Sequence, residues 1–192
     1  MIAGLLLAAG ESTRMGKPKA LLPWAGTTLI EYGVRELGSA VDDLIVVLGH
    51  RAEELAPLAP RHVVNESYRA GRSTSIEAGM RALPGGATAV VIANVDQPRP
   101  SAILRRLIEA HQAARSLISR PVVGDAHGHP TVFDRALFDE LRSLSEENEG
   151  LKSVLRRHAD AIQNVPFDDP IVLLNLNRPE DYESARARFH YH

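Results

Sequence analysis

Short, almost entirely apolar runs separated by amphipathic stretches constrain the fold of this chain more than any other feature. The three clearest runs are IAGLLLA at Ile2–Ala8, DLIVVLG at 43–49 and TAVVIANV at 88–95. Runs without alternation are typical of strands that are buried on both faces of a parallel sheet. Between the first two runs, TTLIEYGVRELGSA places Leu29, Val34 and Leu37 on one helical face. Repeated units of this kind predict an α/β fold with a three-layer, doubly wound and mostly parallel sheet.

The later elements are predicted from capping residues and shorter patterns. The segment STSIEAGMRALPGG indicates a helix that begins with a Ser/Thr cap. SRPVVGDAHGHPTVF indicates two short strands, and IQNVPF and IVLLNL read as extended. RPEDYESARARF indicates a final helix with Pro179 in its first turn and Glu180 and Asp181 placed favourably against the helix dipole. With 192 residues and no internal repeat or linker, we expect one domain over residues 1–192.

Composition and charge exclude several classes of function. The formal net charge of −2 argues against a general nucleic-acid binder, because such proteins usually carry a basic excess. The chain has no cysteine, which excludes disulfides and thiolate metal sites. No apolar run approaches the roughly 18 residues of a membrane span, and the N-terminus lacks the basic segment of a signal peptide. We therefore expect a cytoplasmic protein with no nucleic-acid or membrane partner.

The first apolar run leads into the loop LAAGESTRMGKPKALLPW, residues 7–24. Ligands of open parallel sheets bind beyond the C-terminal ends of the strands, where this loop is expected. The small side chains at 8–10 would let a ligand approach the backbone, and successive N–H groups there could surround an anion. Arg14, Lys17 and Lys19 add positive charge. The loop fits neither the Walker pattern nor G-x-G-x-x-G, so the residues alone leave two readings, an anion-binding loop or a basic solvated turn.

The same loop is similar to the nucleotidyltransferase pattern L-A-A-G-x-S-x-R-M-G-x-x-K, in which the last lysine falls on Lys19. Further segments resemble the molybdenum cofactor cytidylyltransferase branch of that family. These segments are GRSTSIEAGM at 71–80, VDQP at 95–98, GHPTVF at 128–133 and NRPEDYESA at 177–185. The resemblance runs over nearly the full length. It implies a Rossmann-like nucleotidyltransferase fold and transfer of CMP from CTP to the terminal phosphate of molybdopterin, with release of pyrophosphate.

The resemblance also implies a role for each matching residue. The implied catalytic cations are Arg14 and Lys19. The implied nucleotide-binding residues are Leu7, Ala8, Ala9, Gly10, Ser12, Arg14, Lys19, Ser73 and Ser75. The implied ligands for Mg²⁺ or Mn²⁺ are Asp96 and Asn177, and the implied acceptor-binding residues are Gln97, Pro98 and His129. The implied partners are the nucleotide, the molybdopterin acceptor, and a molybdoenzyme or its maturation factor.

Some of these roles have simpler alternatives when the residues are taken alone. Ser73 and Ser75 stand at a predicted helix start, where Ser commonly caps the helix. Asp96 follows an apolar strand, where it would be either a turn residue or an oxygen ligand of the kind that Mg²⁺ prefers. Both alternatives stay open at this stage.

Two departures from the branch pattern widen the functional choice. Asn175 and Asn177 replace both carboxylates of a D-x-D, and the guanylyl-transferring relatives tend to show N-x-N here. Ala9 instead favours CTP, because the guanylyl-transferring relatives usually have the sequence L-A-G-G at this place. EENEGLKSV also lacks the G-D-x-G of the acceptor side. The alternatives are therefore transfer from GTP, transfer to another phosphorylated acceptor such as a sugar phosphate, and a non-catalytic nucleotide-binding protein.

Overall fold

The computed structural model describes residues 1–12 and 18–189. The strands are β1 (Ile2–Ala8), β2 (Pro23–Trp24), β3 (Thr27–Thr28), β4 (Asp43–Leu48), β5 (His62–Val64), β6 (Ala89–Asn94), β7 (Ile118–Val123), β8 (Ala126–His127), β9 (Thr131–Asp134) and β10 (Ile162–Pro166). The α-helices are α1 (Leu29–Gly38), α2 (Ala52–Leu55), α3 (Arg72–Arg81), α4 (Ser101–Ala114), α5 (Phe138–Arg142), α6 (Leu151–Arg157) and α7 (Pro179–Arg188). None of these helices is long and apolar enough to cross a membrane.

Within the described residues, eight strands form one sheet in the order β10-β7-β9-β6-β1-β4-β5, with β8 paired to β7. β1 lies at its centre and runs parallel to both β4 and β6. β9 is antiparallel to β6 and β7, while β10 runs parallel to β7. This arrangement confirms the predicted doubly wound and mostly parallel sheet.

The central strand has apolar contacts on both of its faces, as its continuous apolar run predicts. Leu6 belongs to the core on the side of α1 and α4, together with Ile30 and Leu104. Its neighbour Leu5 belongs to the core on the side of α3, together with Ile76. Successive strand residues point to opposite faces, so one strand joins both cores. Burial of a leucine or isoleucine side chain of this kind stabilises the fold by about 1.5–3 kcal/mol.

The prediction that a Ser or Thr side chain caps the start of α3 is wrong. The helix begins at Arg72, after Gly71, and no side-chain cap forms there from the residues that flank it. Gly71 has φ +121°, which favours glycine. The backbone N–H of Ser73 instead donates to Glu146 Oε1 at 2.6 Å. A carboxylate that lies 73 positions away along the chain therefore takes the role expected of a local serine.

Two other segments differ from the sequence pattern. IVLLNL was expected to be extended, but Pro170–Leu173 form a 3-10 helix. The reason is local, because Asp169 accepts the backbone N–H of Ile171 at 2.9 Å and proline favours a first helical turn. The region after 118 also contains three strands rather than two, since β8 follows β7 in a tight antiparallel turn. The final helix is confirmed, with Pro179 as its first residue and Asp181 accepting the N–H of Arg178.

Candidate active site

A cavity of about 320 Å³ opens beyond the C-terminal ends of β1 and β6. The structure brings most of the predicted nucleotide and metal residues to its walls. These residues are Leu7, Ala8, Ala9, Gly10, Ser12, Lys19, Ser75, Asp96 and Asn177. Arg14 and Lys17 lie outside the described residues. The position agrees with the general location of ligands in open α/β sheets.

Lys19 is the centre of a polar cluster in this cavity. Its Nζ donates to Asp96 Oδ2 at 2.8 Å and to Asn177 Oδ1 at 3.2 Å. Its backbone N–H donates to Ser12 Oγ at 3.1 Å, which ties the loop after β1 to the same point. The residue is only 9% exposed, so its charge interacts with Asp96 through little intervening solvent.

The chain fold brings the two oxygen ligands of Lys19 together from distant segments. Asp96 follows β6, and its backbone carbonyl accepts the N–H of Leu176 at 2.9 Å. This hydrogen bond holds the turn before α7 against the end of β6, and Asn177 is the next residue in that turn. The carboxylate and the amide oxygen therefore converge on one cationic group.

This convergence is the arrangement that a divalent cation would require. The Lys19 ammonium occupies a point between the Asp96 carboxylate and the Asn177 carbonyl oxygen. Mg²⁺ commonly takes one or two carboxylates, with phosphate oxygens and waters as its other ligands. Within residues 1–12 and 18–189, no group of three His, Asp or Glu residues is arranged to hold a metal. The donor set thus fits an ion that would be shared with a bound phosphate.

The backbone beside the cavity is packed closely on one side and open on the other. A Cβ added to Gly49 would lie 2.8 Å from Ala9 O, and His50 N donates to the same carbonyl at 3.0 Å. The loops after β1 and β4 are therefore locked together. A Cβ added to Gly10 would meet nothing within 4 Å in the described structure. Gly10 thus leaves its backbone accessible from the cavity.

The two predicted serines lie in different environments. Ser75 is in the cavity wall, and its Oγ accepts Asn65 Nδ2 at 3.0 Å. Ser73 is 2% exposed and packs near Gly150, away from the cavity wall. Among the described residues, its Oγ has no hydrogen-bond partner. Neither serine side chain caps α3.

None of the three predicted acceptor residues, Gln97, Pro98 and His129, is in the wall of this cavity. Gln97 and Pro98 are buried, and Gln97 Oε1 accepts Asn94 Nδ2 at 2.7 Å, so its side chain is held by the protein. His129 is half-buried. Burial, followed by the charges of Arg72 and Arg99, lowers the pKa of its imidazole from 6.5 to about 4, against an opposing effect of Asp96. His129 is therefore neutral at physiological pH.

Comparison with known proteins decides the family. The model of the MobA-like NTP transferase domain matches residues 4–162. The chain belongs to this family. It is 30% identical over 188 residues to a molybdenum cofactor guanylyltransferase of Cereibacter sphaeroides, covering 96% of this chain and 95% of that one. It is 35% identical over 169 residues to a nicotine blue oxidoreductase of Paenarthrobacter nicotinovorans, covering 81% and 82%.

A solved relative adds information on the metal. The Rv0371c protein of Mycobacterium tuberculosis in complex with manganese superimposes with a TM-score of 0.77 at 30% identity, covering 95% of this chain and 96% of that one. Manganese is one of the two ions that the sequence pattern implies. The family confirms the predicted class of enzyme, a nucleotidyltransferase that uses a nucleoside triphosphate.

Several cavity residues of this MobA-like chain were not singled out from the sequence. They are His50, Tyr68, Arg72 and Asn94. Asn94 carries a recognisable signal, because it is a polar residue at the end of a buried strand, like Asp96. Arg72 lies within the segment that resembles the family, but a lone arginine beside a helix start is usually solvated. Only the packing of α3 against the strand ends places it in the cavity.

Proposed function

We propose that this MobA-like enzyme transfers CMP from CTP to the terminal phosphate of molybdopterin and releases pyrophosphate. The observation that carries the proposal is the convergence of Lys19, Asp96 and Asn177 on one point of the cavity. A cation, a carboxylate and a neutral oxygen beside an open backbone loop match what a metal-bound triphosphate requires.

The proposed reaction is an in-line attack of one phosphate on the α-phosphorus of the nucleotide. The bond from the acceptor oxygen to the α-phosphorus forms as the bond to the pyrophosphate oxygen breaks. The nucleophile is already an anion, so no general base is needed. This agrees with a neutral His129 that would have little tendency to accept a proton at physiological pH.

Catalysis in this scheme depends on positioning and on stabilising charge. Lys19 would leave Asp96 and contact the triphosphate, where a preorganised cation offsets the charge that develops on pyrophosphate. Arg14 is assigned a similar role by the sequence pattern. Asp96 and Asn177 would hold Mg²⁺ or Mn²⁺, which when bound neutralises phosphate charge.

The base of the nucleotide is proposed to contact the cavity wall formed by Leu7, Ala8 and Ala9, and the size of this wall's side chains would select the base. Ala9 carries a methyl group and lies in the lining of the cavity. A methyl group leaves less space there than the glycine usual in guanylyl-transferring relatives, which favours a pyrimidine. The second candidate is GTP, which is favoured by the N-x-N at Asn175 and Asn177 and by the guanylyltransferase relative from Cereibacter sphaeroides.

The decisive experiment measures pyrophosphate release with molybdopterin, a divalent ion and CTP, GTP, ATP or UTP in parallel. Release with CTP alone supports the proposal, whereas release with GTP alone assigns the base to the second candidate. Release with CTP only when a sugar phosphate replaces molybdopterin would change the acceptor. If no pair gives pyrophosphate although CTP binds, the transferase reaction proposed here is wrong. Since one relative is named a nicotine blue oxidoreductase, the absorbance of nicotine blue should be followed in a parallel sample.

A further inference from the structure

Arg72 is a cation in the cavity wall that the reaction described above does not use. It is the first residue of α3 and lies beside Ser75 in the lining of the cavity. Within the part of the chain that the structure describes, its guanidinium has no hydrogen bond or ion pair. The charges of Asp96 and Glu146 reach it, because both act to raise the pKa of Arg72, but neither carboxylate forms an ion pair with it.

The neighbouring arginines differ from Arg72 in this respect. Arg69, just before α3, pairs with Glu11 at 2.8 Å, and Arg81, in the last turn of α3, pairs with Glu77. Both of these pairs lie on the outer surface. The side chain of Arg72 is exposed to solvent, and the protein atoms around its guanidinium lower its pKa as the largest effect. Since a guanidinium in a protein does not lose its proton, the charge remains and is best stabilised by an anion from solution.

The surroundings of Arg72 indicate which anion this is. Lys19 enters the cavity from the loop after β1, and its ammonium lies between Asp96 and Asn177. Arg72 enters from α3, and its charge acts on His129, which is the residue that the sequence pattern assigns to the acceptor. The two cations thus belong to different walls of one cavity. Cationic contacts on both sides of the attacked phosphorus would reduce the repulsion between the two phosphates.

We propose that Arg72 binds the phosphate of the acceptor, a phosphomonoester, while Lys19 serves the nucleotide. This inference rests on the proposed nucleotidyl transfer and adds the acceptor-side residue to it. Arginine suits the task because its planar fork can donate to two phosphate oxygens at once.

The start of α3 already holds one anion, which supports the assignment. Glu146 Oε1 accepts the backbone N–H of Ser73 at 2.6 Å. The same side chain covers Gly71 so closely that a Cβ there would lie 2.3 Å from Glu146 Cγ. The charge of Glu146 also acts on Arg72, which lies in the lining of the cavity. A second anion would therefore bind on the cavity side of Arg72.

The test uses Arg72→Gln and Arg72→Lys, with Arg81→Gln as the matched control on the same helix. Isothermal titration first measures the binding of phenyl phosphate and of CTP, each alone and without turnover. We expect Arg72→Gln to weaken phenyl phosphate binding at least about tenfold, with CTP binding changed less than about twofold, because charge-assisted hydrogen bonds are lost on one side only. Arg72→Lys should restore part of the binding, and Arg81→Gln should bind both ligands like the wild type. The KM for molybdopterin should rise in parallel with the phenyl phosphate dissociation constant.

The remaining outcomes separate this inference from the proposed function. Equal loss of CTP and phenyl phosphate binding would assign Arg72 to the triphosphate and overturn the inference. Unchanged binding of both, or no phenyl phosphate binding by the wild type, would also overturn it. If phenyl phosphate binding depends on Arg72 but molybdopterin is not a substrate, the phosphate site stands and the acceptor proposed above is wrong. Circular dichroism melting of each variant checks that α3 remains folded.

Discussion

Lys19 Nζ lies 2.8 Å from Asp96 Oδ2, although 77 positions separate the two residues in the chain. In the proposed reaction, a divalent ion would be bound at the point that the ammonium occupies here. Lys19 and the ion would then compete for the Asp96 carboxylate until a triphosphate offers Lys19 another partner. Binding of nucleotide would then both recruit Lys19 and free the metal ligands.

Replacing Lys19 with methionine tests its role in turnover. The variant keeps the length of the side chain but removes the charge that would stabilise the leaving pyrophosphate. We expect kcat to fall about 10²–10³-fold, the usual cost of one preorganised charged contact. Steady-state pyrophosphate release measures this, with Lys152→Met as a control for an exposed lysine on α6. Turnover within a factor of two of the wild type would remove Lys19 from the catalytic machinery.

The same variant should bind metal more tightly when no nucleotide is present. Without the ammonium, the Asp96 carboxylate is free and no nearby cation repels the ion. Electron paramagnetic resonance of free Mn²⁺ gives the dissociation constant directly. We expect a lower constant for Lys19→Met than for the wild type, and loss of binding in Lys19→Met combined with Asp96→Asn. Equal affinity in the wild type and Lys19→Met would contradict the competition.

Asn177→Asp restores a carboxylate at the second oxygen ligand. If Asn177 contacts the metal, the added negative charge should strengthen Mn²⁺ binding in the presence of a nucleotide by about tenfold, because divalent ions favour charged oxygen ligands. Asn175→Asp is the matched control, since this exposed residue receives the same change of charge two positions earlier. An equal gain in both variants would show a general effect of charge, with no specific contact at Asn177.

The two glycines beside the cavity should respond differently to substitution. Gly49→Ala places a methyl group 2.8 Å from Ala9 O, so we expect a loss of about 1–3 kcal/mol in the free energy of unfolding. Gly10→Val should leave the stability nearly unchanged, because its Cβ meets no described atom within 4 Å, but should weaken CTP binding. Urea unfolding and isothermal titration separate these effects. Strong CTP binding by a folded Gly10→Val variant would place the nucleotide away from Gly10.

The sheet was predictable from the sequence because its central strand depends on local information. IAGLLLA is apolar at nearly every position, and burial on both faces of β1 requires this. The start of α3 was not predictable in the same way. It depends on Glu146, which reaches Ser73 from a distant segment, and no spacing rule connects these residues. The 3-10 helix at Pro170–Leu173 was not predicted, because the apolar run that follows its Asp-Pro start is also typical of a strand.

The candidate site shows the same difference between local and distant information. Lys19 belongs to the long loop pattern after β1 and Asp96 to the VDQP turn after β6, so their meeting in one cavity could be anticipated from the parallel sheet. Arg72 could not be singled out, because its importance comes from the charges of Asp96 and Glu146 and from its closeness to His129. A sequence pattern identifies residue types at fixed spacings. It does not show which charged side chain lacks a partner among the residues that the structure describes.

His129 provides a prediction on pH. Its pKa is lowered from 6.5 to about 4, first by burial and then by Arg72 and Arg99, with Asp96 opposing. The unfolded chain therefore takes up a proton near pH 6.5 that the folded protein takes up only near pH 4, so the contribution of His129 to stability is present above pH 6.5 and falls between these values.

The measurement of this effect needs a variant and a control. NMR should show the His129 ring titrating near pH 4, and Arg72→Gln should raise that pKa by removing a positive charge. In His129→Gln, the difference in unfolding free energy from the wild type should shrink as the pH falls from 6.5 to 4. The exposed His127→Gln is the control for the loss of one imidazole. A ring that titrates near 6.5 in the wild type would mean that His129 is solvated, and its assignment beside Arg72 would fail.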